Sequence, residues 1–230
     1  MRSMTPGKNN ILSEILPRLL GPMVTGLAVS VSMWCAWVVL HHPALGYSAR
    51  LSGPVLVAVQ LFTLVYFSAK WRASVHPFAT AFVGVITGFF AGTFNLFALS
   101  SMLVAQSDPA SGLRVAQPLA MESGQPGLWV QVLGYLGLSG VIGLIGGVAA
   151  HLISSDRASA PYLPADWLAR LSRVTLTAVF PLLVLGGLVT TTRSGLAVPD
   201  WPTTYGGNMF LYPISLMASD SSVYVEHTHR

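Results

Sequence analysis

An all-α fold, a polytopic transmembrane helix bundle of five spans with the start of a sixth helix, follows from three features of this sequence. Of its 230 residues 53% are hydrophobic and only 9% charged, with a mean hydropathy of +0.63. A soluble domain carries about 25% charged residues. The few charges fall between long charge-free runs: Arg18 to Arg50, Arg50 to Lys70, Arg72 to Asp108, Glu122 to Asp156, and Arg173 to Arg193. Each run holds the roughly 20 apolar residues that cross a hydrocarbon core of about 30 Å, the second and fifth only just. Backbone polar groups in lipid are paired within their own segment, so these spans are helices.

The helices are predicted over about residues 20–40, 54–69, 78–104, 128–153 and 174–192. The first has no small-residue cleavage site at the distance a signal peptide requires, and is read as an uncleaved helix. Residues 105–127, rich in Ser, Pro, Gly and Gln, read as an irregular external loop, and residues 154–172 as an internal loop with a short interfacial turn at Asp166–Arg170. Arg2, Lys8, Arg18, Lys70, Arg72, Arg157, Arg170 and Arg173 fall on one side, against Arg50, Arg114, Arg193 and Arg230 on the other. Cytoplasmic loops collect Lys and Arg, which predicts a cytoplasmic N-terminus in a bacterial-type cytoplasmic membrane. The basic residues are dispersed rather than gathered on one face, so the net charge of +4 does not indicate a nucleic-acid partner.

Within the first four spans the signals concern packing. Gly84, Gly88 and Gly92 form a double GxxxG stripe that lets a neighbouring helix approach closely. Gly134, Gly137, Gly140, Gly143 and Gly146 recur every three residues, a spacing that winds by about 60° per step and can serve more than one neighbour. Ordinary helix packing explains both stripes; a crevice for a flat ligand such as a porphyrin or quinone is the functional alternative. The single cysteine, Cys35, excludes an intramolecular disulfide and reads as a small apolar side chain within the first span.

No GxGxxG, P-loop, GxSxG or CxxC pattern occurs, which leaves histidine as the carrier of chemistry. His41, His42, His76 and His151 sit at helix ends and read as interfacial polar residues, His151 as a partner of its helix C-terminal dipole. His227 and His229 begin what reads as a new helix after an acidic residue. Two positions on a helix lie about 200° apart, so these imidazoles face opposite ways and only one can ligate a given iron. Glu226 and His229 share a face, where the carboxylate can reach a ligating imidazole, and Arg230 is placed to pair with Glu226 or to present a bidentate fork to a carboxylate. By itself this cluster also reads as an interfacial group that caps a helix.

The stretch Thr190-Thr-Thr-Arg-Ser-Gly-Leu-Ala-Val-Pro-Asp-Trp-Pro202, then Tyr205-Gly206 and Glu226-x-x-His229-Arg230, resembles the first helix exit, first external loop and second helix start of the haem A synthase, or cytochrome oxidase assembly, family. The resemblance covers about residues 173–230. Members are eight-helix membrane proteins, two similar four-helix halves, that oxidise the C8 methyl of haem O to the formyl group of haem A. It implies a b-type haem with His229 as axial iron ligand, Glu226 as the acidic residue of the catalytic site, Arg230 as its cofactor-binding neighbour, and Asp200 and Trp201 shaping an external lid. His227 corresponds to a variable position. Val198 and Thr204 stand near where some members carry a cysteine pair, so a thiol relay is not available in this loop.

On that resemblance residues 1–153 are an N-terminal four-helix membrane extension, 154–173 a cytoplasmic loop, and 174–230 the first helix, loop and second-helix start of an incomplete haem A synthase-like unit. The chain is then expected to be an N-terminal fragment, with the remaining haem ligands beyond Arg230. Membrane lipid, haem, and haem O synthase or oxidase subunits are the expected partners. A non-catalytic membrane module that binds haem or scaffolds oxidase assembly is the alternative. A small transporter would carry ionisable groups inside its spans, and apart from His151 near one end these spans have none.

Overall fold

A computed structural model describes residues 11–45, 49–71, 77–98, 128–153, 164–212, 217 and 219–230. Their α-helices are α1 (Ile11–Leu40), α2 (Ala49–Lys70), α3 (Pro77–Ala98), α4 (Leu128–Ile153), α5 (Pro164–Thr192) and α6 (Ser221–His229). Between α5 and α6, β1 (Thr203–Thr204) and β2 (Gly207–Asn208) pair antiparallel, and a 3-10 turn covers Met209–Leu211. Helices α1 to α5 contain the spans Leu19–Leu40, Leu51–Lys70, Pro77–Phe97, Trp129–Ile153 and Asp166–Thr192. The protein is an all-α integral membrane protein, and five helices among the described residues are long and apolar enough to cross a bilayer.

Helix α4 has the predicted bounds, but α1 and α2 begin earlier than hydropathy alone indicates, and α5 begins ten residues earlier. Pro164 takes the first helical position, where its missing N–H is no loss, and Asp166 places a negative charge in the first turn. The stretch Asp166–Arg170, expected as a separate interfacial turn, is therefore the opening of α5. Residues 99–127, 154–163 and 72–76 lie outside the described residues, and with them His76, the predicted external loop and the first part of the predicted internal loop, as do the charges before Ile11.

The helices meet where the sequence is small. Gly84 and Gly88 of α3 press against the α4 backbone at Gly143 and Ser139, so closely that a Cβ at either position would overlap a carbonyl oxygen of the partner helix. Gly147 abuts the Thr80 carbonyl on the same interface, whereas Gly146 turns towards Leu64 of α2. The α4 stripe thus serves two neighbours, as its spacing implies. Backbone fills the space between α3 and α4, which overturns the flat-ligand alternative at Gly84 and Gly88.

Helix α1 lies at the centre, packed against α2, α3 and α5. Its Val29, Met33 and Trp37 join Leu56, Leu64, Ala91 and Ile142 in one apolar cluster that continues into Tyr212, Met217, Tyr224 and Val225 of the C-terminal segment. Asn95 is fully buried in the α1–α3 contact, accepting from Ser30 Oγ at 2.6 Å and donating to Met33 Sδ at 2.8 Å. Polar pairs of this kind fix helices against each other where the surrounding lipid offers no hydrophobic driving force.

Helix α5 is different, with only 11% of its span buried. Leu176, Phe180 and Leu183 are exposed along one stripe that continues to Gly187, around which 4 Å of space is open. Its first turns are anchored by Trp167, which lies on Gly21 of α1 and meets Trp71 edge-on at 6.4 Å. The Arg170 guanidinium stands 4.5 Å from the Trp167 ring and 5.3 Å from the Trp71 ring, a cation–π arrangement at the end of the span.

Substituting Gly88→Leu should push α3 from α4 and cost about 1–3 kcal/mol, the range for overpacking a close interface. Gly137→Ala, at a position with open space, should leave the thermal midpoint of the detergent-solubilised protein unchanged or higher. Equal midpoints for the two variants would contradict the packing described.

Candidate functional site

The site is built from the end of α5, the loop after it, and α6. Thr190, Thr191 and Thr192 return their hydroxyls to the carbonyls of Gly186, Gly187 and Leu188 at 3.0, 2.9 and 2.7 Å, which satisfies them on an exposed helix end. The helix closes with Arg193 in the left-handed region (φ 55°), Arg193 N–H donating to Thr190 O and Ser194 N–H to Val189 O. This paired 6→1 and 5→2 pattern is a Schellman stop, here made with arginine where glycine is usual. The chain therefore reverses at Arg193 before Ser194-Gly195-Leu196.

Asp200 organises the loop that follows. Its carboxylate accepts from Thr203 Oγ1, from Tyr205 N–H at 2.8 Å and from Gly206 N–H at 2.6 Å, while Tyr205 and Gly206 take positive φ. These hydrogen bonds, led by Thr203 and Gly206, hold its pKa down at about 2. The Tyr205 hydroxyl donates back to Ala197 O. Trp201, joined to Pro202 by a cis peptide bond, projects outward and is 73% exposed.

Helix α6 starts five residues before Glu226, at an N-cap formed by Asp220, whose side chain accepts from Ser222 N–H at 2.7 Å. Glu226 therefore lies in mid-helix rather than in the first turn where the sequence reading placed it. The expected pairing with Arg230 is present, whereas the expected reach of the carboxylate to His229 is not. Glu226, 3% exposed, accepts from Val198 N–H at 2.8 Å and from Arg230 at 2.6 Å, and both carboxylate oxygens are thus engaged away from His229. Arg230 in turn donates to Val198 O at 2.6 Å and Asp200 O at 3.0 Å. A buried carboxylate, a guanidinium and three loop backbone groups form a closed, internally neutral clamp.

The two histidines diverge as the helical spacing requires. His229 is exposed and lies over Gly186 of α5: a Cβ there would sit 2.9 Å from Cε1 of the imidazole. No described side chain hydrogen-bonds to the His229 ring. His227 turns inward, with Nδ1 3.2 Å from Thr204 Oγ1 and its ring 5.6 Å from that of Tyr212. Burial, reinforced by the Arg230 charge and opposed by the Met209 carbonyl, lowers its pKa to about 4 and keeps it neutral.

Tyr224 docks this unit onto the bundle. Fully buried, it donates from its hydroxyl to Val38 O at 2.6 Å, stacks on Trp37 at 6.1 Å and receives the edge of His42 at 5.6 Å. Sequence reasoning missed Tyr224 and Asp220, and met Val198 and Thr204 only as positions without cysteine, not as partners of Glu226 and His227. An Asp-Ser-Ser run before an apolar stretch was a legible N-cap signal, whereas Tyr224 carried none because its partner is a backbone carbonyl 186 residues away. Among the described residues no three His, Cys, Asp or Glu side chains gather as an all-protein metal site.

No family model, curated protein or solved structure matches this chain.

Two outcomes test this geometry. Because Asp200 has a folded-state pKa below its unfolded value, its contribution to the loop is complete above about pH 4 and lost as pH falls through about 2. Amide exchange in peptides containing Tyr205 and Gly206 should accelerate over that window, and Asp200→Asn should remove the pH dependence. Breaking the clamp on one side, by Glu226→Ala or Arg230→Met, should cost about 3 kcal/mol through the charge left without its partner, and the double variant should be less destabilised than the sum. Additive losses in thermal stability would show that the pair is not coupled.

Proposed function

We propose that this chain belongs to a haem A synthase-like membrane oxidoreductase, which oxidises the C8 methyl of haem O to the formyl of haem A in support of cytochrome oxidase assembly. His229 is the axial ligand of a b-type haem iron in this reading. A single observation carries it: the His229 imidazole is exposed, has no hydrogen-bond partner among the described residues, and lies on Gly186 beside the open surface of Gly187. A haem supplies four nitrogen donors of its own and asks the protein for axial ligands only, so one such imidazole on a smooth apolar face suits it.

The other residues support that ligand. Glu226 acts as a positioning residue, holding Arg230 and the Val198 amide so that α6 keeps His229 over α5. Arg230 uses three hydrogen bonds within the protein and keeps N–H groups that can serve a haem propionate. Asp200 fixes the loop and presents Trp201 above it as a lid. The distribution of Lys and Arg supports a cytoplasmic N-terminus in a bacterial-type membrane, which would put the site at the outer face. Partners of the same reading are membrane lipid, haem, and haem O synthase or oxidase subunits.

A second reading, a non-catalytic module that binds haem or scaffolds oxidase assembly, is favoured by the scarcely buried α5, whose outward stripe is suited to another helix. Purified protein incubated with haem should give a reduced-minus-oxidised b-type spectrum that His229→Ala abolishes and His227→Ala retains. Gly186→Leu, which displaces the imidazole, should weaken the signal as well. An unchanged spectrum in His229→Ala removes the ligand assignment, and absence of any haem signal in the wild type favours the scaffold.

A further inference from the structure

At the other end of α5 from Gly186, its first turns meet the last residues of α2. Trp167 lies on the Gly21 backbone and the Trp71 ring is backed by that of Phe67 at 4.7 Å, so both indoles are fixed in place. The Arg170 guanidinium stands 4.5 Å from the first ring and 5.3 Å from the second. Lys70, the residue before Trp71, and Arg173, one turn beyond Arg170, are both exposed. Three cations thus border two indoles. Asp166, one turn before Arg170, brings a single negative charge to this patch, which stays cationic.

Two features put these charges at the level of lipid headgroups rather than in bulk water. Lys70 closes the span Leu51–Lys70, and Arg173 stands directly before the apolar stretch of α5. The Lys70 ammonium bends back along its own helix to donate to the Tyr66 hydroxyl at 3.0 Å, and that tyrosine is 47% exposed on the flank of the span. Lys, Arg, Trp and Tyr take such positions at the bilayer border. The sequence supplies the same sign around the patch: the segments on this side hold eight basic residues against three acidic ones, Glu14, Asp156 and Asp166, and those on the other side four against five. The excess positive charge lies wholly at this end.

We propose that this corner of α2 and α5 holds the headgroup of an anionic phospholipid, its phosphodiester accepting from Arg170 and Lys70 with Arg173 alongside. Charge selects the class. A phosphodiester oxygen pairs with guanidinium and ammonium donors, whereas the cation of a zwitterionic choline lipid meets net positive charge. The indoles that could receive a choline cation already carry the Arg170 guanidinium. A lysine lying along the span suits a ligand seated in the leaflet, not a soluble polyanion. The site is at the far end of α5 from His229 and does not depend on the haem reading.

The test is native mass spectrometry of the whole detergent-solubilised protein, titrated with dioleoylphosphatidylglycerol and in parallel with dioleoylphosphatidylcholine. The glycerol lipid should bind more tightly, and Lys70→Gln and Arg173→Gln should each weaken it about 5-fold, the worth of one cation at a membrane surface, with the choline lipid unchanged. Arg170→Gln should weaken it too, but that change also removes the contact with the indoles, so the variants at the exposed Lys70 and Arg173 decide. Arg193→Gln, which removes an exposed cation at the opposite end of α5, should leave binding unchanged. Equal affinity for the two lipids, no loss in Lys70→Gln and Arg173→Gln, an equal loss in Arg193→Gln, or displacement of the glycerol lipid by millimolar inorganic phosphate overturns the proposal.

Discussion

The structure depends on how a helix with almost no buried surface is held in place. Helix α5 presents nearly all of its span outward, and apolar exposure in a bilayer gives no drive to bring it to the other helices. It is clamped instead at its two ends. At one end Trp167 fits over Gly21 and Arg170 layers against two indoles. At the other, α6 lies against Gly186 through His229 and against α1 through Tyr224 and Val38. Glycine recurs at both contacts because each has a ring lying directly on a backbone.

That arrangement makes α6 a hinge piece between two environments. Its hydrophobic side belongs to the core cluster begun by Val29, Met33 and Trp37, and its polar side closes on the loop through Glu226 and Arg230. The pair is satisfied by loop backbone as well as by each other, which is the condition under which a buried ion pair is tolerated. Val198 and Thr204, both fully buried, join this scheme by contacting Glu226 and His227 respectively. The loop and helix consequently form one unit, in which neither keeps its shape without the other.

Much of the architecture could be read from the chain because lipid imposes length and charge rules on local sequence. The five spans follow from charge-free runs, and the two-sided role of the α4 glycines follows from a repeat of three on a period of 3.6. The helix starts were less legible, since polar residues such as Asp166 and Arg170 continue α5 past the hydrophobic stretch. In the candidate site, the divergence of His227 and His229 was set by helical geometry alone. The partners of Glu226 were not, because they are a backbone amide 28 residues away and a loop whose path Asp200 determines.

Placing two imidazoles two residues apart on such a helix creates two chemical settings from one motif. His227 is driven neutral by burial beside a cation, and its nitrogen is committed to Thr204. His229 keeps a free ring over a helix surface stripped of side chains at Gly186 and Gly187. Helical phase separates these faces, and the Glu226–Arg230 clamp fixes the helix between them.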